Sequence, residues 1–415
     1  MSMTTPHRPD HRTEDRPGQR PGPDRGGRRL SGGDGPTVIH TVRAHRLVPQ
    51  PPGLPSGLPA EVAACAVAPA GSAWPEHRTR FVVEVAAGGG SGWHGPVSDP
   101  ILALIGDVHA DGLIGHDALF PRGLTYRRRA GRHLSGSHAA MAAAALELAC
   151  WDLASRVTGV AVSGLLGGTV RAHVPAYASA LGLDPTGAGA AEAAQWIVGA
   201  GFWGQKWPLP KTLLAQGLPA ITRCLERLRA AVPESRVMVD AHRQVRADQL
   251  PALVAVLSEL DITWLEEPAL APGPPGCPGS AFHRTVAVAG GEHAVEGTDQ
   301  IRLLTSGEVV VWQPDPSWIG LSRALFTTDL ATGVGAATFP HGGHLPAALH
   351  LAAACCRDMI PAVEYHLTLE PLRQAILTDP IIPDQGVLAV RADPGLADYR
   401  LSAGAPVVLA QAAAR

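Results

Sequence analysis

Lysine is almost missing from this sequence: of its 34 basic residues only two, Lys206 and Lys211, are lysines. With a formal net charge of -3 and no basic stripe, the chain gives no reason to expect nucleic acid as a partner. Its six cysteines, Cys65, Cys150, Cys224, Cys277, Cys355 and Cys356, form no C-x-x-C pair and no regular framework. That argues against a zinc site or a disulfide scaffold and fits mostly buried free thiols in a reducing cytoplasm. No run of about 18 apolar residues is available to span a membrane. Arg28-Arg29 is followed by "LSGGDGPT", which lacks the apolar stretch of an export signal. A cytoplasmic protein is expected, with no membrane contact.

What is present suits a large enzyme-like fold. The 415 residues, 46% hydrophobic and 17% charged, are enough for a barrel of about 250 residues plus a second unit. Residues 1–35 are rich in Pro, Gly, Arg and Asp and cannot offset their own ordering entropy, so they read as a disordered tail. "TVIHTVRAHRLV" and "RTRFVVEVAA" alternate as strands, "GGGSGWHGPVSD" reads as turn-rich, and "SHAAMAAAALELACWDLASRVTG" reads as a long buried helix ending at Gly159. This predicts an α+β unit over 36–165, followed by β/α modules over 166–385 and a C-terminal segment over 386–415.

Six short apolar runs in the second part end in a polar residue: Lys206, Asp240, Glu266, Glu292, Asp315 and His341. From Asp240 onward the intervals are 26, 26, 23 and 26 residues, close to one strand, loop, helix and return. Side chains repeating at one-module spacing fall at the C-terminal ends of neighbouring parallel strands, the face on which barrels build active sites. Three carboxylates there, Asp240, Glu266 and Glu292, form an oxygen-rich set suited to Mg²⁺, and they would repel one another without a cation. Helix capping or pairing with arginine is the plainer alternative for each.

"VMVDAH", "WLEEPAL", "AGGEHAV", "VVVWQPDPSWIG", "FPHGGH" and "PAVEYH", taken in order, resemble the strand ends of the mandelate racemase branch of the enolase superfamily. "ELACWDLASRVTGVAVSGLLGG" resembles that family's connection between its two domains. The resemblance implies a modified TIM barrel, (β/α)7β, with an N-terminal α+β capping domain that the C-terminal segment rejoins, in a homo-oligomer. It also implies that Asp240, Glu266 and Glu292 bind Mg²⁺, which holds a substrate carboxylate and stabilises the enediolate left by loss of the neighbouring proton. The choice of Glu266 over the adjacent Glu267 rests on the resemblance alone. His341 and Asp315 match the family's base and the carboxylate that orients it. Glu364 matches an acid that hydrogen-bonds the substrate carboxylate.

Departures from the pattern narrow the chemistry. Where relatives carry K-x-K, with the second lysine as a base, this chain has Lys206-Trp207-Pro208, so one face of the substrate lacks a lysine base. Lys206 can still act as a cation for the substrate. K-x-P is similar to rhamnonate dehydratases, and Asp240-Ala241-His242 resembles the D-x-H of acid-sugar dehydratases, in which the histidine assists loss of the 3-hydroxyl. In an extended strand end, residues 240 and 242 would face the same side. The sequence Ile319-Gly320-Leu321-Ser322 replaces a paired glycine, and the uncharged segment Val48–Ala60 suggests an apolar or shortened lid. His94, in "GWHGP", is a weaker candidate to reach the site from the capping unit.

The expected function is dehydration of a sugar acid, a small-molecule carboxylate, to a 2-keto-3-deoxy acid. The alternatives are an epimerase or another eliminating enzyme on a less polar carboxylate, and a binding protein that has lost turnover.

Overall fold

The computed structural model describes residues 35–50, 54, 57–60, 63, 79–122, 136–246, 248–268 and 285–413. The expected tail, apart from Gly35, and part of the Val48–Ala60 segment lie outside them.

Strand β1 (Ile39–Arg46) buries Ile39, Val42 and Ala44 and leaves His40 and Arg46 exposed. It pairs antiparallel with β2 (Thr79–Ala87), and β2 pairs with β3 (Gly90–Ser98). The other edge of β1 takes β13 (Val407–Gln411), which brings the end of the chain back to its first strand. β3 corrects the turn-rich reading of "GGGSGWHGPVSD". Its small residues serve close packing against helix α1 (Ser137–Thr158), because a Cβ on Gly92 would lie 2.1 Å from the Ala149 carbonyl oxygen. α1 is an alanine-rich, largely buried helix stopped by Gly159 in the left-handed conformation.

Eight short parallel strands follow: β4 (His173–Ser179), β5 (Gln205–Pro208), β6 (Val237–Asp240), β7 (Trp264–Glu266), β8 (Ala287–Gly290), β9 (Val311–Trp312), β10 (Ala337–Thr338) and β11 (Val363–His366). Each pairs with the next as far as β10, and β11 pairs back to β4. Backbone bonds from Thr338 N to Met359 O (2.8 Å) and from Glu364 N to Pro340 O (3.4 Å) link the last two strands and close the barrel. β12 (Val387–Ala389) adds antiparallel to β4.

Helices α2 (Ala190–Gly199), α3 (Leu218–Ala231), α4 (Leu250–Glu259), α5 (Gly297–Thr305), α6 (Leu321–Gly333) and α7 (Leu345–Ala354) form the crossovers. Much of the connection from β7 to β8, residues 269–284, lies outside the described residues. The expected α/β barrel with an N-terminal capping domain is therefore observed. α3 illustrates its basis: Ala220, Ile221, Cys224, Leu225 and Leu228 recur at helical spacing and are buried, each large aliphatic contributing roughly 1.5–3 kcal/mol.

Tyr177, Met238, Trp264 and Phe339 fill the barrel interior, with Tyr177 edge-on to Trp264 at 5.5 Å. This plug closes the barrel beneath the strand ends. β5 runs on to Pro208, so Lys206 lies inside a strand, two residues below its end. Glu292, Asp315 and His341 instead fall in the loops just after β8, β9 and β10.

Candidate active site

A cavity of about 480 Å³ opens at the strand ends, lined by Asp240, His242, Glu292, Asp315, His341 and Glu364 from the barrel and by His94 and Val97 from β3. Six of the side chains singled out from the barrel sequence thus meet in one space. Lys206 and Glu266 are not in its lining; they form a buried layer behind it.

In that layer the Lys206 ammonium lies 2.5 Å from Glu266 Oε1, 2.8 Å from Glu364 Oε1 and 3.7 Å from Asp240 Oδ2, over the Tyr177 ring. The register explains the convergence, since Asp240 pairs with Glu266 across β6 and β7 and Glu364 pairs with Tyr177 across β11 and β4. Glu266 Oε2 also accepts from Gln313 Nε2 (2.6 Å) and Trp264 Nε1 (3.3 Å). Burial raises the Glu266 and Asp240 carboxyls above the ordinary range despite Lys206, because neighbouring carboxylates add to the penalty. Glu364 goes the other way: burial opposes it, but Lys206 and His341 hold its carboxylate ionised.

His341 Nδ1 bonds Asp315 Oδ2 at 2.7 Å, while Nε2 reaches Glu292 Oε2 at 2.6 Å. Asp315 is itself held, its Oδ1 accepting from Ser317 N (2.8 Å) and Ser317 Oγ (2.6 Å). With a carboxylate on each nitrogen the ring holds a proton at both, and Nε2, on the cavity side, can act as a base only once Glu292 releases it. Although burial disfavours the imidazolium, Glu292, Glu364 and Asp315 together raise the His341 pKa well above its usual value. Gly342 and Gly343 permit this crowding. A Cβ on Gly343 would lie 2.0 Å from Asp315 Oδ2, and Gly342 N donates to Glu364 Oε2 at 2.9 Å.

His242 reaches the cavity by a different route from the one its spacing suggests. β6 ends at Asp240, and His242 and Arg243 both have positive φ, +47° and +58°, so the backbone turns instead of alternating. The turn directs His242 N onto Asp240 Oδ1 at 2.8 Å and sets His242 Nδ1 3.4 Å from the same oxygen. Burial, then Lys206, lowers the His242 pKa.

Sequence reasoning left Glu267, His293 and Glu147 unassigned. Glu267 accepts from Gly291 N (3.1 Å), and His293 Nδ1 lies 3.6 Å from Glu267 and 3.1 Å from Glu292. Those two carboxylates raise His293 to about 9. Among the described residues Glu267, Glu292 and His293 also have ligand atoms within 4.8 Å of one another, a group that shares only Glu292 with the expected triad. Glu147, buried on α1, accepts from Leu321 N, Ser322 N and Trp151 Nε1. The Ile319-Gly320-Leu321-Ser322 departure therefore builds a loop anchored to the capping domain. The available signal was a carboxylate on the apolar face of a buried helix.

Residues 189–397 match the family description "Enolase C-terminal domain-like", and residues 75–167 match "Mandelate racemase / muconate lactonizing enzyme, N-terminal domain". The chain belongs to the enolase superfamily. Within it, the chain is 29% identical over 269 residues to D-galactarolactone cycloisomerase of Agrobacterium fabrum, covering 60% of this chain and 69% of that protein. It is 29% identical over 295 residues to D-galactonate dehydratase of Ralstonia pickettii, covering 68% and 75%. The solved 3,6-anhydro-D-galactonate cycloisomerase of Zobellia galactanivorans matches in fold, with a TM-score of 0.69 over 87% of this chain and 97% of that one, at 22% identity.

Enolase-superfamily members typically use Mg²⁺. The donor set present here fits that ion: Asp240 and Glu266 paired across neighbouring strands and Glu292 in the loop after β8, hard oxygens with no thiolate among them, carrying a negative surplus that burial makes unfavourable. Among the described residues no helix is long and apolar enough to cross a membrane.

Proposed function

We propose that this protein removes the proton next to a carboxylate and then eliminates water from a sugar acid, giving a 2-keto-3-deoxy acid. The observation that carries the reading is the His341 imidazole, held at Nδ1 by Asp315 with Nε2 turned toward a carboxylate-lined cavity. Relatives named as sugar-acid dehydratases support it.

In this reading Asp240, Glu266 and Glu292 would hold Mg²⁺, which when bound supplies a Lewis acid that offsets negative charge on the substrate carboxylate. His341 Nε2 takes the proton from C2, and Asp315 stabilises the imidazolium that results. Glu364, fixed by Lys206 and by Gly342 N, orients the carboxylate end by taking up one proton and sharing it with the substrate carboxylate. Lys206 contributes positive charge from the layer below and does not touch the substrate. His242 gives a proton to the departing 3-hydroxyl, so that the C3–O bond breaks to release water as the C2–C3 double bond forms. The enol product then tautomerises. Proton transfer of this kind contributes about 10²–10⁴-fold.

The test is a panel of sugar acids with Mg²⁺ in D₂O, followed for deuterium at C2 and for 2-keto acid. His341→Asn should abolish both signals. His242→Asn should suppress 2-keto acid while deuterium still enters at C2. The reverse pattern would exchange the two roles, and no exchange on any acid would leave only a binding function. Loss of a leaving group other than hydroxide is a second reading, favoured by the apolar side chains on the capping-domain side of the cavity. Product identity separates the two.

A further inference from the structure

β7 ends at Glu266, and the next residue, Glu267, turns toward the loop that follows β8, where its Oε1 accepts from Gly291 N at 3.1 Å. Only 3% of Glu267 is exposed. Its other oxygen, Oε2, makes no hydrogen bond among the described residues: the nearest donors are His293 Nδ1 at 3.6 Å and Arg243 Nε at 3.9 Å, both past hydrogen-bond length. A buried carboxylate oxygen left in this state is costly and calls for an explanation. Arg243 does not supply one, since 49% of its side chain is in solvent.

His293 Nδ1 also lies 3.1 Å from Glu292 Oε1, the oxygen of that carboxylate that His341 does not engage. Donor atoms about 2.0–2.2 Å from a tetrahedral Zn²⁺ lie roughly 3.4 Å from one another. The separations of 3.1 and 3.6 Å about Nδ1 bracket that edge, and the three ligand atoms fall within 4.8 Å of one another. Glu292 and His293 both line the cavity, and 38% of the His293 side chain is exposed, so an ion has a way in. One imidazole nitrogen among two carboxylates sets this group apart from the all-oxygen triad. Nitrogen favours zinc and its transition-metal neighbours over Mg²⁺.

We propose that Glu267, Glu292 and His293 form a second metal site, which takes a divalent transition-metal ion such as Zn²⁺ and keeps its fourth position open to the cavity. The ion replaces the proton that His293 Nδ1 now holds between the two carboxylates. The site shares Glu292 with the Mg²⁺ set and does not depend on the dehydration reading.

The test is calorimetric titration of Zn²⁺ into the metal-free full chain, with X-ray absorption at the zinc edge on the complex. A nitrogen and oxygen shell at about 2.0–2.2 Å containing one imidazole is expected. His293→Ala should remove the imidazole and weaken zinc by about 10-fold or more, and Glu267→Gln should weaken it similarly while the imidazole stays. Mg²⁺ affinity should hold within about 3-fold in both, because neither residue belongs to the triad. Asp240→Asn should do the reverse, lowering Mg²⁺ affinity while imidazole-bound zinc remains. His293 is partly exposed, so its variant keeps the question open to measurement should Glu267→Gln fail to fold.

An all-oxygen zinc shell, an imidazole that survives His293→Ala, or zinc affinity within about 2-fold after His293→Ala would overturn the proposal. So would zinc lost in Asp240→Asn and kept in His293→Ala, which would put the ion in the triad. Failure of every sugar acid to exchange at C2 would remove the proposed reaction and leave this site standing.

Discussion

The Leu321 amide donates to Glu147 Oε2 at 2.8 Å, joining the loop that follows Asp315 to the long helix of the capping domain. Glu147→Leu should orphan the amides of Leu321 and Ser322, while the Trp151 indole keeps Ser322 Oγ at 3.1 Å, at about 1–3 kcal/mol for each amide that water cannot reach. Urea unfolding is expected to show a loss of several kcal/mol, with Glu147→Gln milder because it keeps an acceptor. A midpoint unchanged by Glu147→Leu would remove Glu147 as an anchor.

Gly343→Ala should damage function more than stability. The added methyl must displace the Asp315 carboxylate and with it the bond to His341 Nδ1. On an accepted acid, C2 exchange is expected to fall by about 10²-fold or more, with the far-ultraviolet circular dichroism unchanged. Wild-type exchange in this variant would show that Asp315 does not orient His341.

Lys206→Met removes the buried cation from among Glu266, Glu364 and Asp240. Breaking such a set by deleting one partner is worth about 3–5 kcal/mol. The melting temperature should drop in chelator and recover partly with Mg²⁺. Identical melting of variant and wild type in chelator would contradict this account.

Acid should destabilise the protein through its buried neutral histidines. His350 is lowered to about 4 and His94 to about 3, burial being the first cause in each. Between those values and the unfolded pKa of about 6.5, the unfolded chain binds more protons, so stability rises with pH in that window and is lost as pH falls through it. Each histidine adds at most about 1.4 kcal/mol per pH unit. His350→Gln keeps an acceptor for the Ser163 amide and should flatten the slope between about pH 4 and 6.5. An unaltered slope would remove His350 from the acid response.

The sequence made the barrel legible because one-module spacing is a property of the chain alone, and Asp240, Glu292, Asp315 and His341 follow from it. What spacing could not convey is depth. Lys206 belongs to a layer beneath the cavity because β5 continues to Pro208, and His242 faces Asp240 through a left-handed turn that its identity does not announce. β3 was hidden for another reason: its glycines look like a turn in one dimension, and only the nearness of α1 gives them another purpose. Glu147 required knowing which carbonyls and amides a buried helix passes.

Of the two lysines in the sequence, Lys206 has no exposed surface, whereas Lys211, at the start of a short helix, is exposed. An amine-reactive label applied to the folded protein should therefore couple to one of the two lysines, Lys211, and leave Lys206 untouched. Acylation of Lys206 would begin only when the barrel opens, and its appearance by mass spectrometry would time that opening.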